Sequence, residues 1–351
     1  METKFLIVGQ GLCGTWLSYF LIKAGASVIV VDPGTQKAAS SAAAGIMNPV
    51  TGKRLVRTWM GETLLPFACD AYEKFGRENE NSFLEESTIY SFFRNEEEAA
   101  LFDEKARTTH EDLLLYDIRP PASGHFNFTF GIGAIHPVWL VDVPAFLETH
   151  RRNLIKNGQL LEACFDWSLC EFSSDGVVNK DIKADYVIDC GGAATAGNPW
   201  FERLPFALNK GDALIAEIPG LPRDAIYKYS ELNIVRWDEN QFWIGSGFNR
   251  DFSNRLPQPE FRERTEIILK HWLKLPFRIT DHIAAIRPAT VTRDAFAGMH
   301  PYQPRLGILN GMGSKGCSMS PFLAHNLATH LLNGTPLLPQ TDISKYRNAL
   351  R

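Results

Sequence analysis

The sequence has no apolar run approaching the roughly 18–20 residues needed to cross a bilayer, so a helical membrane span is not expected. It opens Met1-Glu2-Thr3-Lys4 and then has only a short apolar stretch, which does not read as a secretory leader. No C-x-x-C pair occurs among Cys13, Cys69, Cys164, Cys170, Cys190 and Cys317, and no histidine cluster accompanies them, which argues against a zinc site or a redox dithiol. Cys190 closes the apolar run Val187-Ile188-Asp189, where cysteine behaves as a small hydrophobe, so reduced thiols in a reducing compartment are expected. His325 and His330 stand five apart, a spacing that does not put them on one helical face. An excess of one charge is also missing: 36 Lys and Arg against 40 Asp and Glu leave −4, with no global pull toward nucleic acid or anionic lipid. There is no internal repeat and no low-complexity segment. What the chain does have is apolar material, 45 % of 351 residues, which excludes disorder and suggests about two domains. A soluble, cytoplasmic protein is the expectation.

The chain begins with the strand-like run Lys4-Phe5-Leu6-Ile7-Val8, followed at once by Gly9-Gln10-Gly11-Leu12-Cys13-Gly14. Thr15 to Ala24 carries Trp16, Leu17, Phe20 and Leu21 at helical spacing, Gly25 ends it, and Ser27 to Asp32 reads as a second buried strand. That is one βαβ unit in about 30 residues. Ser40 to Gly45 is a run of small residues that lets backbone approach a ligand. Helices are expected over Leu55–Phe75, Val143–Ile155, Glu260–Leu273 and Pro321–Leu332, and strands over Ile89–Phe93, Phe126–Phe130 and Lys183–Cys190. Glu96-Glu97-Glu98 reads as a solvated face. From about residue 211 the period becomes two-fold through Ala213–Ile218, Asn233–Trp237 and Phe242–Gly245, the pattern of an antiparallel sheet. Leu306–Asn310, the loop Gly311-Met312-Gly313-Ser314-Lys315-Gly316 and a helix then restore the opening texture. This points to one nucleotide-binding domain assembled from separated segments, with a second domain inserted.

The G-x-G-x-x-G motif follows a strand, opens a helix, and has Asp32 eighteen residues after Gly14. Gly9 permits the tight turn, Gly11 lets backbone approach a pyrophosphate, and Gly14 lets helix and strand pack closely. The helix N-terminus offers N–H groups to phosphates, and Asp32 an acceptor to the adenosine ribose. The motif does not separate FAD from NAD. Its early position and the second glycine loop some 300 residues downstream lean toward FAD, whose ring needs a second anchor.

With these stretches in view, the sequence resembles the D-amino-acid oxidase and glycine oxidase superfamily of FAD-dependent amine oxidoreductases over nearly the full chain. The matching segments are Ile7 to Asp32, Ser40 to Met47, Ala184 to Gly192, Ile286 to Pro301 and Leu306 to Gly334. The resemblance implies an α/β chain, α+β overall: a Rossmann-like FAD-binding domain (1–85, 137–210 and 285–351) with an inserted antiparallel-sheet substrate domain (86–136 and 211–284). It implies that Gly9, Gly11, Leu12, Cys13, Gly14 and Asp32 hold the ADP half. Ala39, Ser40, Ala44, Gly45 and Ile46 would pass along the flavin and pyrophosphate, and Phe165 and Gly191 would line the adenine side. Met312, Gly313, Ser314, Lys315, Gly316, Cys317 and Ser318 would contact the ring.

Arg287, in Ile286-Arg287-Pro288-Ala289-Thr290, matches the arginine that pairs with the substrate carboxylate, work suited to a planar, permanently charged fork. A structural arginine between domains is the competing reading. By its spacing to Asp294, Arg287 also stands where sarcosine oxidases carry the cysteine that links their flavin, so non-covalent FAD is implied. The implied activity is oxidation of the C–N bond of a small amino acid or related amine by hydride transfer to flavin N5, with O₂ or another electron acceptor. Departures are visible. Where glycine oxidases have a substrate-facing tyrosine this chain reads Asn233-Ile234-Val235-Arg236, with Tyr227 and Tyr229 as nearby substitutes. The strand Phe242-Trp243-Ile244-Gly245 lacks the oxygen-activating lysine of sarcosine oxidases. Three alternatives stay open: a flavin domain acting on a modified tRNA wobble uridine, against which the −4 charge weighs, a non-catalytic flavin-binding module, and an NAD-dependent dehydrogenase.

Overall fold

The computed structural model describes residues 1–34 and 38–351. Its first sheet is built on Glu2–Val8, whose Phe5 and Ile7 enter one core while Leu6 and Val8 enter another. A strand buried on both faces reads as a continuous apolar run and suits a parallel sheet. Accordingly Glu2–Val8 pairs in parallel with Val28–Val31 on one side and with Ile182–Asp189 on the other. Ile182–Asp189 pairs in turn with Gln303–Asn310, also in parallel, so strands from the first and last parts of the chain share one sheet. Leu160–Leu161 flanks Val28–Val31, and Phe296–His300 runs antiparallel beside Gln303–Asn310.

The helices are α1 (Leu12–Lys23), α2 (Gly61–Glu78), α3 (Glu96–Thr108), α4 (Val143–Lys156), α5 (Pro259–Trp272) and α6 (Gly316–Asn333). Residues of α1, α2, α4 and α6 cover the first sheet, with Trp16 of α1 fully buried between Phe146 and Tyr72 at ring distances of 4.8 and 5.0 Å. Among the described residues no helix is long and apolar enough to cross a membrane.

The second sheet runs Arg278–Arg287, Asn209–Glu217, Gln241–Gly245, Leu232–Arg236, Ile226–Tyr229, Leu84–Phe92, Ile132–Val141 and Ile46–Met47. It is antiparallel except that Ile226–Tyr229 runs parallel to Leu84–Phe92, which the two-fold pattern could not reveal. Alternation gives each strand two sides. Leu214, Tyr227, Ile234 and Ile244 face a core closed by Phe126, Leu269 and Trp272. Ala213, Ile226, Val235 and Trp243 face the other way, where Ala44 and Ile46 pack against them.

Several expected elements take different form. Phe126–Phe130 is not a strand: Asn127 donates N–H to the Trp272 carbonyl at 2.7 Å, and its apolar alternation comes from docking Phe126 and Phe128 against Phe92. The acidic run is the first turn of α3, capped by the Asn95 side chain accepting from Glu98 N at 2.9 Å, where carboxylates oppose the positive end of the helix. The second helix starts at Gly61, because Val50–Thr51 and Val56–Arg57 form a small hairpin before it. The last helix starts at Gly316, five residues before Pro321, which lies inside it. Arg278–Arg287 is a full strand that its mixed polar and apolar sequence concealed.

Candidate active site

The first glycine loop follows from close packing. Gly9 has φ +97°, and a Cβ there would stand 2.7 Å from the Cys190 carbonyl oxygen. At Gly14 a Cβ would stand 1.8 Å from the Gly9 carbonyl oxygen, so nothing larger than hydrogen fits. Gly11 caps α1 with no side-chain bond, and the first turn of α1 contains no acid. Leu12 N–H donates to Ser40 Oγ at 3.2 Å, whereas the N–H groups of Cys13 and Gly14 have no acceptor among the described residues. These unpaired donors, next to the small-residue stretch of Ala39, Ser40 and Ala44, fit a pyrophosphate. Gly45 has φ +78° and a Cβ on it would strike the Val141 carbonyl oxygen at 2.0 Å, so it brings the stretch onto the second sheet, where Ile46 pairs with Leu140.

Asp32 ends the second strand and is held rigidly. Its carboxylate accepts from Gln10 N and Gly34 N, both at 2.8 Å, and from Arg151 Nη1 at 3.1 Å. Arg151, reaching in from α4, also donates to Gln10 Oε1 at 2.9 Å and Glu162 Oε1 at 2.6 Å. Neither Arg151 nor Gln10 was legible as a site residue. Gln10 sits inside the motif at a position of no fixed identity, and Arg151 lies far along the chain. Phe165 packs edge-on to Trp167 at 4.7 Å, on the same core as Leu161, whose carbonyl receives the Asp32 N–H at 3.0 Å.

A second group of polar residues joins the other loops. Buried Asp189 accepts from Gly191 N and Thr195 Oγ1, both at 2.8 Å, and from Asn198 Nδ2 at 2.7 Å. Burial pushes its carboxyl pKa up, against the pull of these donors. Asn310 Nδ2 then donates to Thr195 Oγ1 at 2.7 Å and the Gly192 carbonyl at 2.9 Å, tying Gly191 to the start of the second glycine loop. In that loop Gly311 and Gly313 have φ +84° and +57°, which side chains rarely adopt. Met312 and Cys317 are buried in the core, so only their main chain is available to a ligand. Burial pushes the Cys317 thiol up to about 12. Lys315 caps α6 without a side-chain bond, and Gly316, Cys317 and Ser318 form its first turn, again with no acid there. Ser314 is exposed.

Arg287 closes the site from the second sheet. Its strand pairs with Asn209–Glu217 in a register that sets Arg287 opposite Asn209. Nη1 donates to Asn209 Oδ1 at 3.0 Å and to the Gly247 carbonyl at 3.2 Å. Gly211 lies beneath the guanidinium, since a Cβ on it would meet Nη2 at 1.9 Å and Cζ at 2.3 Å. Nε and Nη2 make no hydrogen bond among the described residues. Burial pushes the guanidinium pKa down, while Asp212 opposes this. Gly313 N–H donates to the Pro288 carbonyl at 3.1 Å, which fixes Arg287 beside the second glycine loop. Trp243 Nε1 donates to the Ala42 carbonyl at 3.1 Å and so joins the second sheet to the first cradle. Tyr227 and Tyr229 do not reach this face: Tyr227 is buried with its hydroxyl donating to Pro222, and Tyr229 stacks on Trp272 at 5.2 Å, both on the opposite side. Among the described residues no group of three or more His, Cys, Asp or Glu side chains could hold a metal ion.

An N-terminal dinucleotide cradle, a second glycine loop beside it and an antiparallel sheet facing both define a flavin-dependent oxidoreductase fold. A family model described as FAD dependent oxidoreductase, DAO, matches residues 4–330. The chain belongs to this family of FAD-dependent enzymes. Its fold is similar to that of glycine oxidase from Geobacillus kaustophilus, at 18 % identity, 98 % coverage of both chains and a TM-score of 0.79. It is likewise similar to iminodiacetate oxidase from Chelativorans sp. BNC1, at 18 % identity, 98 % coverage of both chains and a TM-score of 0.78. L-proline dehydrogenase from P. horikoshii aligns at 16 % identity, 100 % of this chain and 97 % of that one, with a TM-score of 0.74.

Proposed function

We propose that the chain oxidises the C–N bond of a small amino acid or related amine that carries a carboxylate. The reading rests on one observation: the Arg287 guanidinium is fixed over Gly211 by Asn209 and Gly247, with Nε and Nη2 unspent among the described residues, beside the second glycine loop. A forked, permanently charged donor in that state suits a carboxylate, and pinning that group orients the α-carbon. The FAD-binding unit comprises 1–85, 137–210 and 285–351, and the substrate unit 86–136 and 211–284. Gly9 to Gly14 and Asp32 hold the ADP half, Ala39 to Ile46 run along the pyrophosphate and flavin, Phe165 and Gly191 line the adenine side, and Met312 to Ser318 meet the ring through main chain. Bound there, FAD supplies a two-electron acceptor. The amine must be neutral to give up a hydride, and this chain's part is to bind, orient and exclude water rather than to supply a strong base. O₂ or another acceptor then takes the electrons.

In this reading the FAD is non-covalent: Arg287 stands where sarcosine oxidases carry the flavin-linking cysteine, and Cys317 of the second glycine loop is buried in the core. Acid precipitation of the yellow protein is expected to leave all flavin in the supernatant. Anaerobic mixing with a panel of amino acids is expected to bleach the flavin band. In Arg287→Met the KM for the bleaching substrate should rise by about two orders of magnitude, as loss of a charged, hydrogen-bonded partner implies. No bleaching by any carboxylated amine, or an unchanged KM in the variant, would remove the reading.

A further inference from the structure

The carbonyl that holds Arg287 belongs to Gly247, and the next residue is Phe248, whose aromatic side chain is 65 % exposed. Single exposed apolar residues are ordinary on a protein surface, so the exposure alone says little. The place is what sets Phe248 apart. Arg287 Nη1 lies 3.2 Å from the Gly247 oxygen, so standard peptide dimensions put the Phe248 Cα within about 7 Å of that nitrogen. The backbone on either side is clamped to the strand beneath the guanidinium. Gly247 N–H donates to the Asp212 carbonyl at 2.8 Å, Asn249 N–H to the Lys210 carbonyl at 2.9 Å, and Lys210 N–H to the Asn249 carbonyl at 2.7 Å.

The Phe248 side chain stands on the Arg287 side of the sheet. A Cβ on Gly247 would meet Phe261 of α5 at 3.1 Å and the Asp212 side chain at 3.3 Å, so position 247 faces α5. Asn249 pairs with Lys210, which alternates along its strand with Gly211, the residue under the guanidinium. Lys210 accordingly points away from Arg287, and its Nζ donates to the Leu256 carbonyl at 2.8 Å. With 247 and 249 both turned toward α5, alternation turns Phe248 to the opposite face, beside the fork. Arg250, two residues on and so on the same face, has its guanidinium 5.5 Å from the centre of the Phe248 ring, which steadies the ring.

A carboxylate taken up by Nε and Nη2 brings its carbon chain to this place. An aromatic surface beside the fork favours a chain that is apolar, since covering both removes apolar area from water. We propose that Phe248 is a specificity-determining residue, which covers the carbon chain of the substrate whose carboxylate Arg287 holds and so selects amino acids with an apolar side chain over glycine and over polar ones. This rests on the carboxylate reading of Arg287.

The test uses the FAD-loaded protein and three ligands that are not amines: acetate, hexanoate and hexanamide, titrated by calorimetry. The hexanoate-to-acetate ratio reads the apolar contact, and the hexanoate-to-hexanamide ratio reads the charge. Hexanoate is expected to bind about tenfold tighter than acetate and at least about tenfold tighter than hexanamide. In Phe248→Ala the first ratio should fall to near one while the second is kept, and Phe248→Leu, which keeps an apolar surface, should retain most of the first. Flavin absorbance checks that each variant is loaded. Hexanoate binding no tighter than acetate in the native protein, or a first ratio undiminished in Phe248→Ala, overturns the role of Phe248. A second ratio near one, with the first intact, overturns the carboxylate reading of Arg287 instead, so the two failures are distinguishable.

Discussion

Gly211 and Asn209 determine where the Arg287 charge lies. Because the guanidinium rests where a Gly211 Cβ would be, Gly211→Ala must push it off the sheet face and break the bonds to Asn209 and Gly247. The expected outcome is a rise in KM of about one to two orders of magnitude for a carboxylated substrate with FAD retained, measured by steady-state kinetics and flavin absorbance. FAD loss with the same substitution would mean that Gly211 serves the fold. A second residue-scale prediction concerns pH. Burial pushes His150 down to about 4, and it shares a 2.8 Å hydrogen bond with Ser18 Oγ. Its unfolded value is about 6.5, so between about 6.5 and 4 the unfolded chain binds more protons than the folded one. The contribution is therefore complete above about 6.5 and is lost as pH falls, by up to about 3 kcal/mol, before levelling near 4. Denaturant midpoints across that range should flatten in His150→Gln. Gly9, Gly14 and Asp32 could be read from the sequence because their spacing is local. The Asn209–Arg287 bond could not, since it spans 78 residues and exists only through strand register.

At the scale of elements, two helix N-termini face the cradle, and neither has an acid in its first turn or a cap from the side chain of its own N-cap residue. In the proposed reading a bound anion would take over the role that capping side chains have elsewhere. Gly14 is where α1 is pressed hardest against its strand, and Gly14→Ala would bring a methyl 1.8 Å from the Gly9 carbonyl oxygen. That helix must shift, and the expected result is loss of FAD from purified protein, read as the ratio of flavin to protein absorbance. Pro321 has the sequence look of a helix opening, whereas α6 begins five residues earlier at Gly316. Pro321 lies past the first turn, where its ring removes the N–H that would have bonded to the Cys317 carbonyl, so the helix runs through it at the cost of one intrahelical bond. Phe126–Phe130 misled for a different reason: alternation reports two-sided surroundings, and docking onto the end of α5 supplies those as well as a sheet does.

At the scale of the molecule, polar links between the second sheet and the first cradle include Trp243 Nε1 to the Ala42 carbonyl. The α/β texture at both chain ends was legible because buried parallel strands and glycine loops leave a local pattern. The parallel pairing of Ile226–Tyr229 with Leu84–Phe92 was not, because partners so distant leave no trace in either segment. A fragment ending at residue 302 lacks the strand Gln303–Asn310 and α6, and with them both the second glycine loop and the partner of Ile182–Asp189. It is expected to hold no FAD, as checked by equilibrium dialysis. Retention of the cofactor by that fragment would show that the second loop is dispensable.

The sharing of Ile182–Asp189 between an early strand and a late one also sets an order of events during synthesis. Its first edge finds a partner as soon as it leaves the ribosome, and Ile182–Ala184 of its second edge pair with the preceding strand Gly176–Asn179, but Val187–Asp189 of that second edge wait while more than a hundred further residues are made. For that interval an apolar strand edge stays open, which invites pairing with other chains. Nascent chains stalled before residue 303 are therefore expected to occupy chaperones, and release should coincide with emergence of the final strand and helix.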